Sequence, residues 1–386
     1  MLKASLPRVS PTPNPVAKRH YAALTALAIF MFVASASAAP TYSLIYTFSG
    51  GADGSLPQGS VLLDQSGNLY GVTAQGGASN KGVVFQLVPP NGGGSWIETV
   101  LHSFSGSDGA TPAGGLLLHG GSFYGVTTSG GSSNLGTVFQ LTQSGGVWTE
   151  TVLHSFSGSD GVNPTVAPIA DSAGALYGIT PVGGASNQGV VFKLTQSSGV
   201  WTETVLHSFN GSDGTAPFGV LLIDKAGALY GSTTYTQTES GTLFKLTPQN
   251  GSWTFKTLRA DSNTFMVVDF LDKSGALYGT TTAANTFFKM TPPSYKTKVL
   301  IDMGQGVYPT PGLTTGPGGV RYGGGLASQV YTLTPPVGKR GTWIVQDHVV
   351  SNENNVGMPA VSATGTIFGY AGNNGPRFGA VYQQTP

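Results

Sequence analysis

Beyond residue 40 the apolar positions come in short runs with a period of two, each closed off by Gly, Ser, Asn or Asp. The stretch that begins at Leu101 sets the pattern, with GLLLH at 115–119, SFYGVT at 122–127, GTVFQLT at 136–142 and VWTETVLHSF at 147–156. Val, Leu, Phe, Tyr, Thr and Trp dominate these runs. Such alternation puts successive side chains on opposite faces of a pleated strand and cannot line one side of a helix. An Asp-x-x-Gly joins the first two runs at Asp64 and Gly67, Asp171 and Gly174, Asp224 and Gly227, and Asp272 and Gly275. There Asp can cap its own backbone while Gly takes the positive φ of a tight turn. Four short antiparallel strands are predicted.

The four-run unit then repeats. Its marker is an apolar-aromatic-Gly triplet: Leu69-Tyr70-Gly71, Phe123-Tyr124-Gly125, Leu176-Tyr177-Gly178, Leu229-Tyr230-Gly231, Leu277-Tyr278-Gly279, Arg321-Tyr322-Gly323 and Ile367-Phe368-Gly369. The spacings are 54, 53, 53, 48, 44 and 46 residues, so the later units are trimmed. Four antiparallel strands at such a period make the blade of a β-propeller. The last unit offers only three runs, at 359–362, 366–370 and 379–383, whereas TYSLIYTF at 41–48 is an orphan that aligns with the fourth run of the other units. The prediction is an all-β, seven-bladed β-propeller of four-stranded blades occupying residues 40–386 as one domain. Its ring closes when the N-terminal strand completes the last blade, which protects edges that an open array leaves unpaired.

Residues 1–39 stand apart. Lys3, Arg8, Lys18 and Arg19 precede an apolar run at 21–34, and Ala36-Ser37-Ala38-Ala39 follows before Pro40. That is the layout of a secretory signal peptide cleaved after Ala38 or Ala39; an uncleaved N-terminal anchor is the other reading. No second apolar span follows, so no stable membrane span is expected after cleavage. The remainder holds 14 basic against 17 acidic residues, a net charge of −3, with no basic run. Nucleic acid, which needs clustered Lys and Arg, is not an expected partner. There is no Cys, so an exported chain would hold itself by burial and closure rather than by disulfides.

The combination of LYGIT at 176–180, GGASNQG at 183–189, VVFKLT at 190–195 and WTETVLHSFNGSDG at 201–214 resembles the bacterial GloVer (Gloeo–Verruco) tandem-repeat family of "choice-of-anchor" surface proteins. The match is close in the first four units and fades in the last three. The resemblance implies propeller-like repeats on an exported bacterial protein, located outside the cell or on the exterior of its envelope. It supplies no catalytic residues.

Strand parity puts the second-to-third loops and the blade links on one side. These are the longer connections, among them AQGGASNKG at 74–82, TSGGSSNLG at 128–136 and PVGGASNQG at 181–189. Function concentrates in loops held by a rigid scaffold, so the candidate ligand-binding residues are Asn80, Asn134 and Asn187 in the loops and Asp53, Asp108, Asp160 and Asp213 in the links. The Asn amides could meet sugar hydroxyls or cap their own turns. The Asp residues head Asp-Gly turns, with Ser and Gly where a calcium loop would place oxygen ligands. His102, His154 and His207 recur on the fourth strand, where Tyr46 and Arg259 stand in other units; they read as blade packing, too far apart to converge on one metal. Glu98, Glu150 and Glu203 follow Trp96, Trp148 and Trp201 by two residues and are expected on the perimeter, clear of other acids; the Trp read as outer packing or, alternatively, an aromatic shelf for sugars.

No nucleophile elbow, metalloprotease motif, phosphate loop or EF-hand occurs beyond residue 39. No catalytic residue, metal or cofactor is expected. The leading expectation is a non-catalytic exported propeller that binds an extracellular glycan or an envelope protein. The alternative is a carbohydrate-active or lactone-hydrolysing propeller with its site at the central channel mouth, drawing on one-off residues such as Arg259, Arg321, Asp347, His348 and Arg377. A purely architectural repeat is a third reading.

Overall fold

The computed structural model describes residues 41–235, 241–261, 265–282, 284–304, 309–325, 329–338, 341–349, 358–371 and 378–386. The expected signal peptide, residues 1–39, and Arg377 lie outside the described residues, as does the side chain of His348. The opening strand is β1 (Thr41–Thr47). Blade 1 comprises β2 (Ser55–Leu63), β3 (Leu69–Gln75), β4 (Val83–Val88) and β5 (Ile97–Ser103). Blade 2 comprises β6 (Ala110–His119), β7 (Ser122–Ser129), β8 (Thr137–Ser144) and β9 (Val147–Ser155). Blade 3 comprises β10 (Ile169–Ala170), β11 (Leu176–Thr180), β12 (Val190–Ser197) and β13 (Val200–Ser208). Blade 4 comprises β14 (Thr215–Ile223), β15 (Leu229–Tyr235), β16 (Gly241–Gln249) and β17 (Ser252–Asp261). Blade 5 comprises β18 (Met266–Leu271), β19 (Leu277–Thr281), β20 (Thr286–Thr291) and β21 (Lys296–Asp302). Blade 6 comprises β22 (Thr314–Thr315), β23 (Arg321–Gly325), β24 (Gln329–Thr334) and β25 (Ile344–Val349). Blade 7 comprises β26 (Ala360–Val361), β27 (Ile367–Ala371) and β28 (Ala380–Thr385), with β1 as its fourth member.

The seven antiparallel sheets form the predicted propeller, and its closure is the predicted one. β1 runs along β28 from Thr41 opposite Thr385 to Thr47 opposite Ala380. Phe48 N then donates to Gly379 O at 3.1 Å, and the Phe48 ring is buried against Phe85 of blade 1 at 5.1 Å. β1 and β28 are therefore joined by a ladder, and Phe48 shares the core of blade 1.

The marker triplet has a physical basis in all three positions. Its first residue is core, as with Leu69, Leu176 and Leu229. The Tyr hydroxyl reaches back to the turn Asp: Tyr70, Tyr177 and Tyr230 donate to Oδ2 of Asp64, Asp171 and Asp224 at 3.1, 2.9 and 3.0 Å. Oδ1 of the same Asp caps the turn, accepting from Ser66 N and Asn68 N at 2.8 Å in blade 1. The Gly lies opposite a third-strand aromatic whose ring folds over it, so any Cβ there would overlap the ring.

The first strand of the second unit begins earlier than predicted. The second unit was expected to start at 115, but β6 starts at Ala110, with a register shift between Ala113 and Leu117. Pro112, Gly114 and Gly115 sit at a bulge that brings backbone to backbone near the axis. Gly59 and Gly114 sit there at φ 73° and 72°, and a Cβ would overlap the backbone of Gly114 and Gly115, or of Val166, in the next blade. Between blades lie discrete apolar layers; the layer joining blades 2 and 3 includes Tyr124, Val138, Phe156, Leu176 and Phe192. Among the described residues, no helix is long and apolar enough to cross a membrane.

Candidate functional site

The links and loops of the longer-looped face lock onto each other, as parity predicts. Gly77 N, Gly131 N and Gly184 N each donate at 2.9 Å to a link carbonyl, those of Gly51, Gly106 and Gly158. Asn80, Asn134 and Asn187 occupy the same place in three loops, exposed, at φ 52°, 58° and 55°. Asn tolerates this left-handed conformation because its side chain can bond locally. Their Oδ1 atoms accept from Gly76 N, Gly130 N and Gly183 N at 2.9, 2.9 and 3.1 Å. A fourth-strand Ser hydroxyl fixes each loop further, accepting from Ala78 N, Ser132 N and Ala185 N at 2.8 Å. The amide oxygens thus cap their own turns.

In the links, each candidate Asp uses one oxygen to close its turn. Asp108 Oδ1 accepts from Ser105 N at 2.8 Å and Gly106 N at 3.2 Å, and Asp160 Oδ1 from Ser157 N and Gly158 N at the same distances. Asp213 Oδ1 takes Asn210 N at 3.0 Å, whereas in Asp53 it is Oδ2 that takes Ser49 N, at 2.7 Å. Oδ2 then meets the fourth-strand residue: His102, His154 and His207 lie with Nε2 at 3.0, 3.0 and 2.9 Å from Asp108, Asp160 and Asp213. Tyr46 takes the same role toward Asp53 at 3.1 Å. Burial opposes the charge on Asp108 and Asp160, but the Ser donors and the imidazole outweigh it and hold both carboxyls below their ordinary value. The imidazole N–H is accordingly the donor. Burial in turn pushes His154 and His207 down, against the pull of their Asp partners.

A third group arrives from the next blade, and here the sequence expectation is corrected. Glu98, Glu150 and Glu203 are not on the open perimeter. Alternation puts each on the same strand face as the Trp two residues earlier, and that face turns toward the preceding blade, as the contact of Trp201 with Tyr124 shows at 6.4 Å. Ligand atoms of His102, Asp108 and Glu150 come within 4.8 Å of one another, as do those of His154, Asp160 and Glu203. Oε1 of all three Glu is buried and takes no hydrogen bond. Burial, with the charge of Asp108 added, pushes Glu150 up to about 8. Burial and Asp53 take Glu98 to about 7, and burial and Asp160 take Glu203 to about 7. An imidazole and two carboxylates drawn together in this way can share a proton or hold a divalent cation. The three His remain on separate blades, each paired with its own link Asp.

The fourth boundary departs from the pattern. Phe255 stands where the Glu would be and stacks on His207 at 4.0 Å with the rings 10° from parallel. The Trp at this depth pack on aromatics, mostly those of the preceding blade: Trp96 on Phe368 at 6.0 Å, Trp253 on Tyr177 at 6.0 Å and Trp343 on Tyr278 at 6.0 Å.

At the axis, a cavity of about 220 Å³ is lined by Gly59, Ser60, Gly114, Thr165, Val166, Met358 and their neighbours, with no carboxylate or imidazole among the described lining residues. Arg321 is held in packing, its guanidinium 4.0 Å above the Phe270 ring and bonded to Thr315 Oγ1. One buried acid was not anticipated. Asp269 replaces the apolar residue found as Val61, Leu116 and Leu221 in other first strands, accepts from Gly312 N of blade 6 at 2.9 Å, and is pushed by burial to about 7. Its signal was a charge inside the apolar run MVVDFL.

The raised Glu98 gives a first test. In the folded chain it holds its proton up to about 7, against 4.5 in the unfolded chain. The folded state then binds more protons between these values, so stability falls as pH rises through that window and is flat above it. Glu98→Gln, neutral throughout, is expected to raise the melting temperature relative to the parent at pH 8 and not at pH 4. An equal difference at both pH values in calorimetry would contradict the buried, protonated carboxyl.

A family model described as Gloeobacter/Verrucomicrobia repeat matches residues 28–239 and, in a second overlapping placement, 149–329. Virginiamycin B lyase from Staphylococcus aureus superposes with a TM-score of 0.58 at 13% identity, over 90% of this chain and 99% of that one. YCF48 from Cyanidioschyzon merolae gives 0.55 at 12% identity, over 89% and 99%. PorZ, a surface component of the type-IX secretion system of Porphyromonas gingivalis, gives 0.50 at 14% identity, over 84% of this chain and 46% of that one. At these identities the likeness is one of fold. No curated protein sequence matches the chain.

Proposed function

Because the chain belongs to the Gloeobacter/Verrucomicrobia repeat family, we propose that it is an exported, non-catalytic propeller that binds a polysaccharide at or outside the bacterial cell envelope. The carrying observation is one rigid polar loop built three times over, on adjacent blades of one face, with an exposed Asn in each. A repeating platform suits a repeating ligand, because each added unit of a polymer meets the same groups and the contacts act together. The leader-like residues 1–39 support export. The axis favours binding over the catalytic alternative, since its described lining offers glycine and apolar surface rather than paired acids.

The test is a glycan array and an envelope pull-down with the full chain, followed by replacement of Asn80, Asn134 and Asn187 by Gly. Glycine keeps the positive φ and so keeps the loop, while it removes the amide. The expected result is glycan retention by the parent and at least a tenfold weaker affinity in the triple variant, with a melting temperature lowered by only a few degrees. Unchanged affinity would remove the Asn from the proposal, and no retention of any glycan or envelope component by the parent would remove the function.

A further inference from the structure

We propose that the protein holds a divalent transition-metal ion at each of two blade boundaries, one between His102, Asp108 and Glu150 and the other between His154, Asp160 and Glu203. Each site takes an imidazole nitrogen and two carboxylate oxygens from two adjacent blades, with the remaining coordination position left to water. That donor set suits zinc and its neighbours in the first transition row better than calcium or magnesium, which favour all-oxygen shells.

Four observations carry the assignment. The donor atoms of each trio already lie within 4.8 Å of one another. His Nε2 and Asp Oδ2 are 3.0 Å apart at both boundaries, close to the roughly 3.3 Å that tetrahedral bonds of about 2.0 Å impose between ligands. The Asp is held in place from behind, its Oδ1 fixed by two backbone N–H groups, which is how metal ligands are usually oriented. Finally, the Glu brings a buried oxygen with no hydrogen bond, and a buried carboxylate without a partner is costly unless a cation or proton meets it.

The chain also contains its own control. At the boundary after blade 3, the His207–Asp213 pair is kept at 2.9 Å, yet Phe255 replaces the Glu and covers the imidazole face. Where the third donor is missing, an aromatic ring takes the place. Two sites rather than three are therefore assigned. They go beyond the polysaccharide reading, since they lie between blades and brace them whatever the loops bind.

The experiment is titration of zinc chloride into the untagged, metal-stripped full chain by calorimetry, with cobalt absorption reporting the ligand field. The expected result is two equivalents per chain. Glu150→Gln and Glu203→Gln should each reduce this to one, with at least tenfold weaker uptake at the altered boundary, and the double variant should take up none. His207→Ala should leave the count at two, and Phe255→Glu should raise it to three. The proposal is overturned by the absence of saturable uptake in the parent or by a double variant that still binds two equivalents. If the double variant fails to fold, Phe255→Glu decides, and a count that stays at two overturns it.

Discussion

A chain that begins at Ser49 is expected to lose most of the stability of the ring. Its last blade keeps β26, β27 and β28 but not β1, so six paired positions along β28 open to water. Each net backbone bond contributes about 0.5–1.5 kcal/mol, and loss of a buried Phe costs about 3–5 kcal/mol. Phe48, only 2% exposed, goes with the strand and leaves a hole between blades 7 and 1. The combined loss, on the order of 6–14 kcal/mol, rivals the whole stability of an ordinary domain at about 5–15 kcal/mol. The expected readout is a melting transition that broadens and falls by more than ten degrees, with aggregation through the exposed edge. A synthetic peptide of residues 41–48 should restore part of the transition when added in excess, because an open strand edge accepts a matching strand. A truncated chain that melts within two degrees of the parent would show that the ends do not hold the ring.

How far this could be read from the chain follows from where each feature is encoded. The blade count and the closure were legible because they rest on local alternation and on a triplet that recurs at nearly fixed spacing, even where Arg321-Tyr322-Gly323 has eroded. The turn role of Asp64 and Asp171 was legible for the same reason: its causes lie within a few residues. The first-strand bulge was not, since Pro112, Gly114 and Gly115 carry turn chemistry and only the neighbouring blade explains why they stay in a strand. The His–Asp–Glu trios were hidden by distance along the chain. Asp108 and Glu150 lie in different repeats, and nothing local tells that the Glu face turns back onto the preceding link. One signal was available: Trp148 and Glu150 must share a strand face, so a Trp assigned to packing carries its Glu inward too. Asp269 was equally visible, as a charge standing where other repeats keep Val61 or Leu116.

Gly178 supplies the second large effect, and the sign is not obvious in advance. Gly in a strand is a weak point, and replacement by Ala at a tolerant position gains about 0.4–1 kcal/mol by reducing unfolded-state freedom. Space decides otherwise here. Gly178 lies directly opposite Phe192, whose ring folds over it, and a Cβ would overlap that ring. Phe192 cannot retreat, because it is buried and sits edge-on to Phe156 at 5.3 Å in the layer between blades 2 and 3. Forcing an extra carbon into a filled core costs about 1–3 kcal/mol, which exceeds the entropic gain. Gly178→Ala is therefore expected to destabilise, and Gly178→Val, with two more carbons on a stiff side chain, to do so severely enough to unfold blade 3. Chemical denaturation should show the midpoint falling with an unchanged slope for Ala. Adding Phe192→Leu should recover part of the loss in Gly178→Ala, since the smaller side chain relieves the overlap while the two positions are in contact. Strictly additive costs would mean that the ring does not constrain the glycine. The same pairing recurs from Gly71 with Phe85 to Gly369 with Tyr382, so one close approach of ring to backbone explains why the last letter of the triplet is kept in every blade, even where the first two have drifted.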